Sequence, residues 1–309
     1  MRNNDEIEKV AHEFVRDCKQ EMAQFPLYSV LNADQTGIQK ELYGSRAHAF
    51  KGAKNVERLV QAKSSLTHSF TFLPMLFMNG TLGPKAYVKL AEPTGRIPPS
   101  RPIPAGITNL EVRAGKSHIM TKEDMCDWLK SCVSDPSLPK KLYLLLDHWP
   151  PFKDHDTIRK CAPPGYDITI RNIPPHATGL IQPLDVYFNL PWKNLLKKFT
   201  NYVINFHPEF LIAQRNNELC MVSALYHQIS AREFQSFLQY PWKKSGYMDR
   251  DANEPEFTTP AEYCMGKATP EDCYISGCVE LGCLKCARCQ NWVCFDHLVV
   301  SQIHLCPLP

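Results

Sequence analysis

The amino-acid sequence predicts an α/β fold, a mixed sheet flanked by helices, with a small cysteine-rich module at the C-terminus. Short apolar runs that end in aspartate are typical of buried strands, and segments with apolar residues at helical spacing lie around them. Seven of the thirteen cysteines crowd into the part of the chain after residue 270. The 309 residues are 44% hydrophobic, so one large domain and a small one are expected.

The chain is expected to open with an amphipathic helix and a buried strand. Apolar residues recur at helical spacing from Ile7 to Cys18, and Pro26 closes this segment. Residues 28–33 form a short apolar run that ends at Asp34. This pattern is typical of a strand that delivers a carboxylate at its C-terminal edge.

Two more strands and a helix are predicted before the middle of the chain. Residues 70–78 and 86–90 are apolar runs joined by Asn-Gly and Gly-Pro turn signals. Residues 92–107 are rich in proline and glycine and are expected to form a loop. This loop leads to a helix that begins near Thr121 and runs to Cys132.

A strand, a helix and a second, parallel strand are predicted next. Residues 142–146 form a continuous apolar run that ends in Asp147, and residues 166–170 form a β-rich run. A helix is expected between them at residues 152–161, and strands joined in this way pair in parallel. Further helices are expected at residues 184–199, 208–219 and 222–240.

The chain is expected to divide into four segments. Acidic and proline-rich residues 249–260 mark a linker, because the composition changes after them to cysteine and glycine. The predicted segments are an N-terminal helix (1–25), a large α/β domain (26–250), the linker (251–266) and a cysteine-rich module (267–309).

Composition excludes several classes of protein. The longest apolar run is far too short to cross a bilayer and the N-terminus is polar and acidic, so no membrane partner or secretion leader is expected. A net charge of +3 is too small to indicate a nucleic-acid binder by itself. Six scattered cysteines are expected to be small buried side chains in a reducing, intracellular compartment: Cys18, Cys126, Cys132, Cys161, Cys220 and Cys264.

Three aspartates could meet at one edge of the predicted sheet. Asp34 and Asp147 end strands, and Asp185 begins a helix. Carboxylates so placed suit Mg²⁺, which prefers oxygen ligands and is usually held by one or two carboxylates plus substrate phosphate. Two such ions support phosphodiester displacement. An aspartate after an apolar run is more often a turn or cap residue, so the pattern alone leaves both interpretations open.

Four motifs around these aspartates resemble those of the DDE superfamily endonucleases of pogo- and mariner-type transposons. L-N-A-D-Q-T-G at residues 31–37 resembles the first-aspartate motif of the family, and Y-L-L-L-D-H-W-P at residues 143–150 resembles its second. The most specific is P-P-H-A-T-G-L-I-Q-P-L-D-V-Y-F-N-L-P-W-K at residues 174–193. The fourth is F-L-Q-Y-P-W-K-K-S-G at residues 237–246, so the resemblance covers roughly residues 25–255.

The resemblance implies a ribonuclease H-like catalytic domain in which Asp34, Asp147 and Asp185 form the metal-binding triad. The implied cofactor is Mg²⁺ or Mn²⁺, and the implied reaction is cleavage of a DNA phosphodiester followed by strand transfer to target DNA. DNA is therefore the expected partner, a homodimer is one option for the assembled state, and a nuclear location is expected.

Two departures from the family pattern lead to an alternative function. His148 and Trp149 follow the second aspartate, where the family usually continues with asparagine. Only one helix is predicted before Asp34, where the family carries a helix-turn-helix DNA-binding region, so a truncated or domesticated copy is expected. The alternative is a non-catalytic DNA-binding or protein-interaction module, and a ribonuclease-type enzyme on the same fold is a third option.

The cysteine-rich tail predicts zinc binding. C-x-x-C-x-x-C-x-x-x-x-C-x-x-H runs from Cys283 to His297, and nine Cys and His ligands in the tail suffice for two tetrahedral zinc sites. Free thiols on a disordered tail are the alternative. The tail also resembles the cross-brace zinc modules of piggyBac-type transposases. On that model an alternating assignment places Cys278, Cys283, Cys294 and His297 on one ion, and Cys286, Cys289, His304 and Cys306 on the other.

Two basic segments are candidates for phosphate contacts. Residues 44–63 carry many basic side chains and few acids and are expected to form an exposed hairpin or loop, and the helix at residues 184–199 has a basic outer face. A basic helix face is also commonly just solvated. The candidate residues are Lys51, Lys54, Arg58, Lys193, Lys197 and Lys198.

Overall fold

The computed structural model describes residues 4–39, 69–250, 256–266, 270–304 and 306, and strands form its centre. In chain order these are β1 (Val30–Ala33), β2 (Thr36–Gln39), β3 (Ser69–Leu73), β4 (Met75–Phe77), β5 (Ala86–Ala91), β6 (Leu110–Gly115), β7 (Lys141–Leu146) and β8 (Asp167–Asn172). One sheet has the order β4-β1-β7-β8, in which only β1 and β4 are antiparallel. The other has the order β2-β3-β5-β6, in which only β5 and β6 are parallel.

The two sheets meet at a break in one antiparallel ladder. β1 continues into β2 and β3 into β4, and the register that pairs Ala33 with Met75 is kept between β2 and β3. By this register Pro74 lies opposite Asp34. A proline has no N–H to donate, so the ladder is interrupted at this point. The break therefore falls at the first predicted catalytic residue.

Helices cover both faces of the strands. The α-helices are α1 (Asn4–Met22), α2 (Lys122–Trp128), α3 (Pro150–Lys153), α4 (His155–Cys161), α5 (Thr178–Ile181), α6 (Asn189–Phe206), α7 (Arg215–Ile229), α8 (Gln235–Lys244) and α9 (Pro260–Met265). Short 3₁₀ turns lie at Leu27–Ser29 and Arg232–Phe234, and π-helical segments lie at Leu129–Val133, Leu184–Phe188 and Asp296–Val300.

Alternate residues of β1 point into two separate apolar clusters. Leu31 lies in a cluster with Trp128 of α2 and Phe152 of α3, whereas Val30 lies in a cluster with Trp192 of α6. Successive side chains of a strand point to opposite faces, so the two clusters lie on opposite sides of the sheet. The predicted α/β class, a mixed sheet flanked by helices, is confirmed.

The cysteine-rich module packs directly on the main domain. Its two short strands, β9 (Leu284–Lys285) and β10 (Trp292–Val293), form an antiparallel hairpin. Phe295 lies 6.1 Å from Phe199 of α6, ring centroid to ring centroid, and stacks on His207 at 4.3 Å. Helix α9 occupies part of the predicted linker and also contacts α6, because Lys198 Nζ donates to the Ala261 carbonyl. The division into four segments stays a prediction.

The module is also bonded to the C-terminal end of α7. The backbone N–H of Ala287 donates to Gln228 Oε1 at 2.8 Å. The Arg288 guanidinium donates to the His227 carbonyl at 3.2 Å and to Ser230 Oγ at 3.1 Å. The turn between β9 and β10 is therefore fixed to one helix end by several hydrogen bonds.

Several element boundaries differ from the sequence-based predictions. Strand β6 lies just after the predicted loop of residues 92–107 and was not expected. The helix predicted at residues 152–161 is two helices, because Asp154 ends α3 and caps α4 by accepting the Thr157 N–H. The two helices predicted at residues 208–219 and 222–240 are wrong in their bounds, since α7 spans the gap between them.

The expectation of six separate buried thiols is wrong for two of them. Cys126 of α2 and Cys161 of α4 form a disulfide with their Cα atoms 5.3 Å apart. Both helices pack on the same face of the sheet around Trp128 and Ile158, and this brings the two side chains together. Cys18, Cys132 and Cys264 are buried free thiols as expected, and Cys220 is half-buried.

Among the residues that the structure describes, no helix combines the length and the apolar character that crossing a bilayer requires.

A buried ion pair fixes the start of α2 against the sheet. Lys89 Nζ of β5 lies 2.5 Å from Asp124 Oδ1, and the side chains of both residues are 10% exposed or less. The Tyr87 hydroxyl donates to the same oxygen, and Thr121 completes a capping box with Asp124. Burial raises the pKa of Asp124, but the Lys89 ammonium and the Thr121 N–H together hold it below its ordinary value.

Replacement of Lys89 by methionine should lower the free energy of unfolding by about 3–5 kcal/mol, because it leaves the Asp124 charge buried without its partner. Urea unfolding of the purified chain measures this change. Lys19→Met is the matched control, since the pair of Lys19 with Asp249 is exposed and such pairs contribute about 1 kcal/mol or less. If Lys89→Met and Lys19→Met lowered the free energy of unfolding equally, the assignment of Lys89 and Asp124 as a buried ion pair would be contradicted.

Candidate acidic and metal-binding sites

Two of the predicted acids leave the sheet at the same edge. Asp34 directly follows β1, and Asp147 directly follows β7. These strands are parallel neighbours, with Ala33 paired to Leu146, so the residues that follow them emerge side by side. Asp185 comes from the π-helical segment Leu184–Phe188, which leads into α6. Single π-helical turns occur frequently at functional sites.

The three carboxylates lie close enough to affect one another's charge. Asp34 is 7% exposed, and burial raises its pKa well above the ordinary value, with Asp185 and Asp147 raising it further. Burial also raises the pKa of Asp147, and Asp185 adds to this rise. A site that gathers like charges around a buried carboxylate in this way favours a cation.

A buried asparagine side chain connects the segments that carry these acids. Asn32 Nδ2 donates to the Leu145 carbonyl of β7 at 2.8 Å, and Asn32 Oδ1 accepts the Leu184 N–H at 3.0 Å. Asn32 is fully buried and lies two residues before Asp34 on β1. The three acid-bearing segments therefore meet at one side chain.

Other polar contacts orient the loop that carries Asp147. Asn172 at the end of β8 donates to the carbonyls of Asp147 and Phe152, at 2.9 Å and 3.0 Å. The His155 ring lies 2.6 Å from Asn172 Oδ1, and the Trp149 N–H donates to the Asp147 carboxylate at 3.2 Å. The Asn172 side chain thus holds the Asp147 backbone, and the Trp149 N–H orients its carboxylate.

Two further residues lie beside the acids. Gln182 was not among the predicted site residues, and Lys193 was predicted only as a DNA contact. Gln182 is fully buried next to Asp34, and within the described part of the chain neither polar atom of its amide makes a well-formed hydrogen bond. Lys193 is half-buried, and this burial lowers its pKa. The negative charges of Asp185 and Asp34 raise its pKa by a smaller amount. Both residues lie in the most specific motif, at residues 174–193. This motif was the only feature of the sequence that could have indicated that they belong to the site.

The basic candidates fall into different surroundings. Lys193 faces the acids, Lys197 is half-buried, and Lys198 is turned toward α9, where it donates to the Ala261 carbonyl. Only the first therefore adjoins the carboxylates. Lys51, Lys54 and Arg58 lie outside the described residues.

The tail brings eight cysteine and histidine side chains into two groups of four. The ligand atoms in each group all lie within 4.8 Å of one another. The groups interleave along the chain, as a cross-brace does. The first contains Cys273, Cys278, Cys294 and His297, and the second contains Cys286, Cys289, His304 and Cys306.

The distances in both groups fit one tetrahedral ion each. Cys278 Sγ lies 3.9 Å from Cys294 Sγ, and Cys286 Sγ lies 3.9 Å from Cys306 Sγ. Sulfurs that bind one zinc ion at 2.3 Å in a tetrahedron are about 3.8 Å apart. His304 contacts the second group through Nε2 and the Tyr274 hydroxyl through Nδ1, at 2.8 Å. Such an outer contact fixes the ring orientation of a ligand histidine.

Two thiols in these groups are acidic. Burial raises the pKa of Cys286, but His304 and the N–H groups of Cys289 and Arg288 bring it down to about 6. Burial likewise raises the pKa of Cys273, yet backbone N–H groups and His297 bring it to about 7. Thiolates are the form that binds metal.

The predicted ligand Cys283 is not in either group, and Cys273 takes its place. Cys283 directly precedes β9 and its N–H donates to the Val293 carbonyl, so it belongs to the hairpin ladder. Its side chain is 5% exposed within the apolar cluster. Cys273 Sγ instead lies 3.3 Å from His297 Nδ1. The other seven predicted tail ligands are brought together in the predicted partition.

A family model and several solved structures are similar to this chain. The model of the Tc5 transposase C-terminal domain matches residues 242–306. A search of curated proteins finds no match. Because the matching model describes Tc5 transposases, it gives no support to the likeness of the tail to piggyBac-type modules.

The similar structures include complexes of the Mos1 transposase. A pre-cleavage Mos1 transpososome is 9% identical, with 82% of this chain and 66% of that chain covered and a TM-score of 0.43. The Mos1 strand transfer complex is 6% identical, with 74% and 62% covered and a TM-score of 0.41. The chain thus spans slightly less than two thirds of the structures that it matches. Residues 242–306 are similar to the Tc5 transposase C-terminal domain, which confirms the predicted resemblance of this chain to transposases.

Proposed function

We propose that this chain is the core of a DDE-type transposase, which cleaves DNA phosphodiester bonds and transfers the freed strand with divalent cations held by Asp34, Asp147 and Asp185. The observation that carries the proposal is the approach of these three carboxylates, two from parallel strand ends and one from a π-helical turn.

The donor set fits Mg²⁺ or Mn²⁺. All three side chains offer carboxylate oxygens, the ligands that Mg²⁺ prefers. Burial, followed by the neighbouring charges of Asp185 and Asp147, raises the pKa of Asp34, and a divalent cation in the site would favour the charged carboxylate instead. The fully buried Gln182 amide beside Asp34 is a further polar group that lacks a well-formed hydrogen bond in the described part of the chain.

The side chains have distinct tasks in this scheme. When bound, the divalent cations activate the attacking oxygen and stabilise the leaving oxygen of the phosphodiester. Asp34 and Asp147 hold fixed positions because β1 and β7 are paired. Asp185 is exposed and receives a hydrogen bond from Asn189 at 3.2 Å, so it lies on the side from which DNA approaches.

DNA is the proposed substrate, and Lys193 is its proposed phosphate contact. Its ammonium is half-buried and close enough to Asp185 and Asp34 to interact with their charges, so it could pair with a phosphate next to the reacting one. Lys197 extends the same helix face by one turn. A DNA substrate makes the nucleus the proposed location, and a homodimer stays a prediction.

The tail is proposed to bind two Zn²⁺ ions in the cross-brace arrangement. Each group offers three cysteines and one histidine, a ligand set that is typical of structural zinc. The ligands of each group come from separate segments that an ion would hold together, so the ions would contribute to the folding of the module.

Asp34→Asn and Asp185→Asn should each reduce metal-dependent nicking of supercoiled plasmid at least about a hundredfold, since a metal contributes several kcal/mol to such a reaction. In zinc-loaded protein without added Mg²⁺ or Mn²⁺, both variants should unfold at or above the wild-type temperature, because each removes one like charge from the cluster.

Asp167→Asn is the matched control, because Asp167 lies at the opposite end of the parallel strand β8. Nicking that persists in both cluster variants would contradict the catalytic assignment. A wild-type chain that binds DNA without any nicking would favour the non-catalytic alternative.

Cys273→Ser should lower the bound zinc from two ions to one per chain, whereas Cys283→Ser should retain both. Zinc is measured by mass spectrometry of metal released from the purified full chain. The two cysteines are ten residues apart and both are buried, so each controls for the other. Loss of an ion in Cys283→Ser alone would overturn the assignment.

Lys193→Met should weaken DNA binding and reduce the salt dependence of the binding constant by about one charge, because one phosphate contact is lost. Fluorescence anisotropy of a labelled duplex, measured over a range of KCl concentrations without divalent cations, reports both changes. Lys198→Met is the control and should leave the slope unchanged, since Lys198 is turned toward α9. Identical slopes for all three proteins would exclude this contact.

A further inference from the structure

Asn32 occupies a position where an apolar side chain is expected. It lies on the central strand β1, is fully buried and points to the same face as Val30, which belongs to the main apolar cluster. Burial of an amide without hydrogen bonds is costly. The amide is retained here with both of its polar atoms satisfied, which indicates a specific task.

The partners of Asn32 lie next to the other two acids in the chain. The Leu145 carbonyl, which accepts from Nδ2, belongs to the residue two places before Asp147. The Leu184 N–H, which donates to Oδ1, belongs to the residue directly before Asp185. Asn32 itself lies two places before Asp34. One side chain thus sets the distances between three backbone segments, each within two residues of an acid.

The chemistry of these contacts requires an amide. The group must donate to a carbonyl and accept from an N–H at the same time, and a carboxylate lacks the donor while leucine lacks both functions. The Leu184 N–H is also one of the first N–H groups of the π-helical segment, which have no partner within the helix. Asn32 therefore anchors the start of the segment that carries Asp185.

The other asparagines near the acids each contact the segment of only one acid. Asn172 holds the loop after Asp147, and Asn189 contacts the Asp185 side chain. Asn32 differs because its own strand carries one acid and its two hydrogen bonds reach the segments of the other two.

We propose that Asn32 is a positioning residue that sets the separation of Asp34, Asp147 and Asp185 and so determines how tightly the acidic site binds divalent cations. This inference rests on the proposed function of the site. Loss of an outer contact of this kind typically lowers metal affinity tenfold to a hundredfold.

The test compares Asn32→Leu, which has a similar volume and removes both hydrogen bonds, with Asn32→Ser, which can keep one of them. Asn109→Leu is the matched control, because Asn109 Nδ2 also donates to a backbone carbonyl, that of Ser223 at 2.9 Å, away from the acids. Circular dichroism and thermal unfolding of the full, zinc-loaded chain establish that each variant is folded.

The first measurement is Mn²⁺ binding followed by electron paramagnetic resonance, which does not depend on cleavage. Asn32→Leu should bind Mn²⁺ about tenfold or more weakly than wild type, Asn32→Ser should be intermediate, and Asn109→Leu should match wild type. Wild-type affinity in both folded Asn32 variants would overturn the proposal, provided that Asp34→Asn and Asp185→Asn lose binding. If those two aspartate variants bind Mn²⁺ normally, the proposed function fails instead.

The second measurement needs no metal. Amide hydrogen exchange in the peptide that contains Leu184 should be slow in wild type and in Asn109→Leu, and at least about tenfold faster in Asn32→Leu. Unchanged exchange in Asn32→Leu would show that Asn32 does not hold this segment and would overturn the proposal even if no metal bound to any variant.

Discussion

The parallel pairing of β1 with β7 is the constraint on which the acidic site depends. Parallel neighbours end at the same edge of a sheet, so the residues that follow them, Asp34 and Asp147, lie side by side. On its other side β1 is antiparallel to β4, and this ladder is interrupted where Pro74 faces Asp34. Repulsion between the carboxylates opposes the fold, and apolar clusters on both faces of the sheet outweigh it.

The central strands could be predicted from the sequence, whereas some peripheral elements could not. β1 and β7 are buried on both faces and therefore appear as continuous apolar runs. Strand β6 alternates Leu110 and Val112 with charged Glu111 and Arg113 and follows a proline-rich loop, so its signal is weak. Helix α7 is buried on almost all sides, so the apolar period that would mark its ends is absent.

The acidic site could be predicted in part. The pattern supplied all three acids, Asp34 and Asp147 as strand ends and Asp185 as a helix start, and the motifs strengthened the assignment. Nothing in the pattern placed Gln182 beside Asp34. In the tail, spacing alone could not separate Cys273 from Cys283, because the fold of the β9–β10 hairpin decides which thiol turns inward. The proximity of Cys126 and Cys161 likewise depends on how α2 and α4 pack.

The hydrogen bonds of Ala287 and Arg288 to the end of α7 link the cysteine-rich module to the main domain. These residues lie between Cys286 and Cys289, two members of the second ligand group. Order in this turn of the tail and order at the C-terminal end of α7 are therefore thermodynamically linked. Zinc binding, as proposed for the tail, would then also stabilise the C-terminal end of α7.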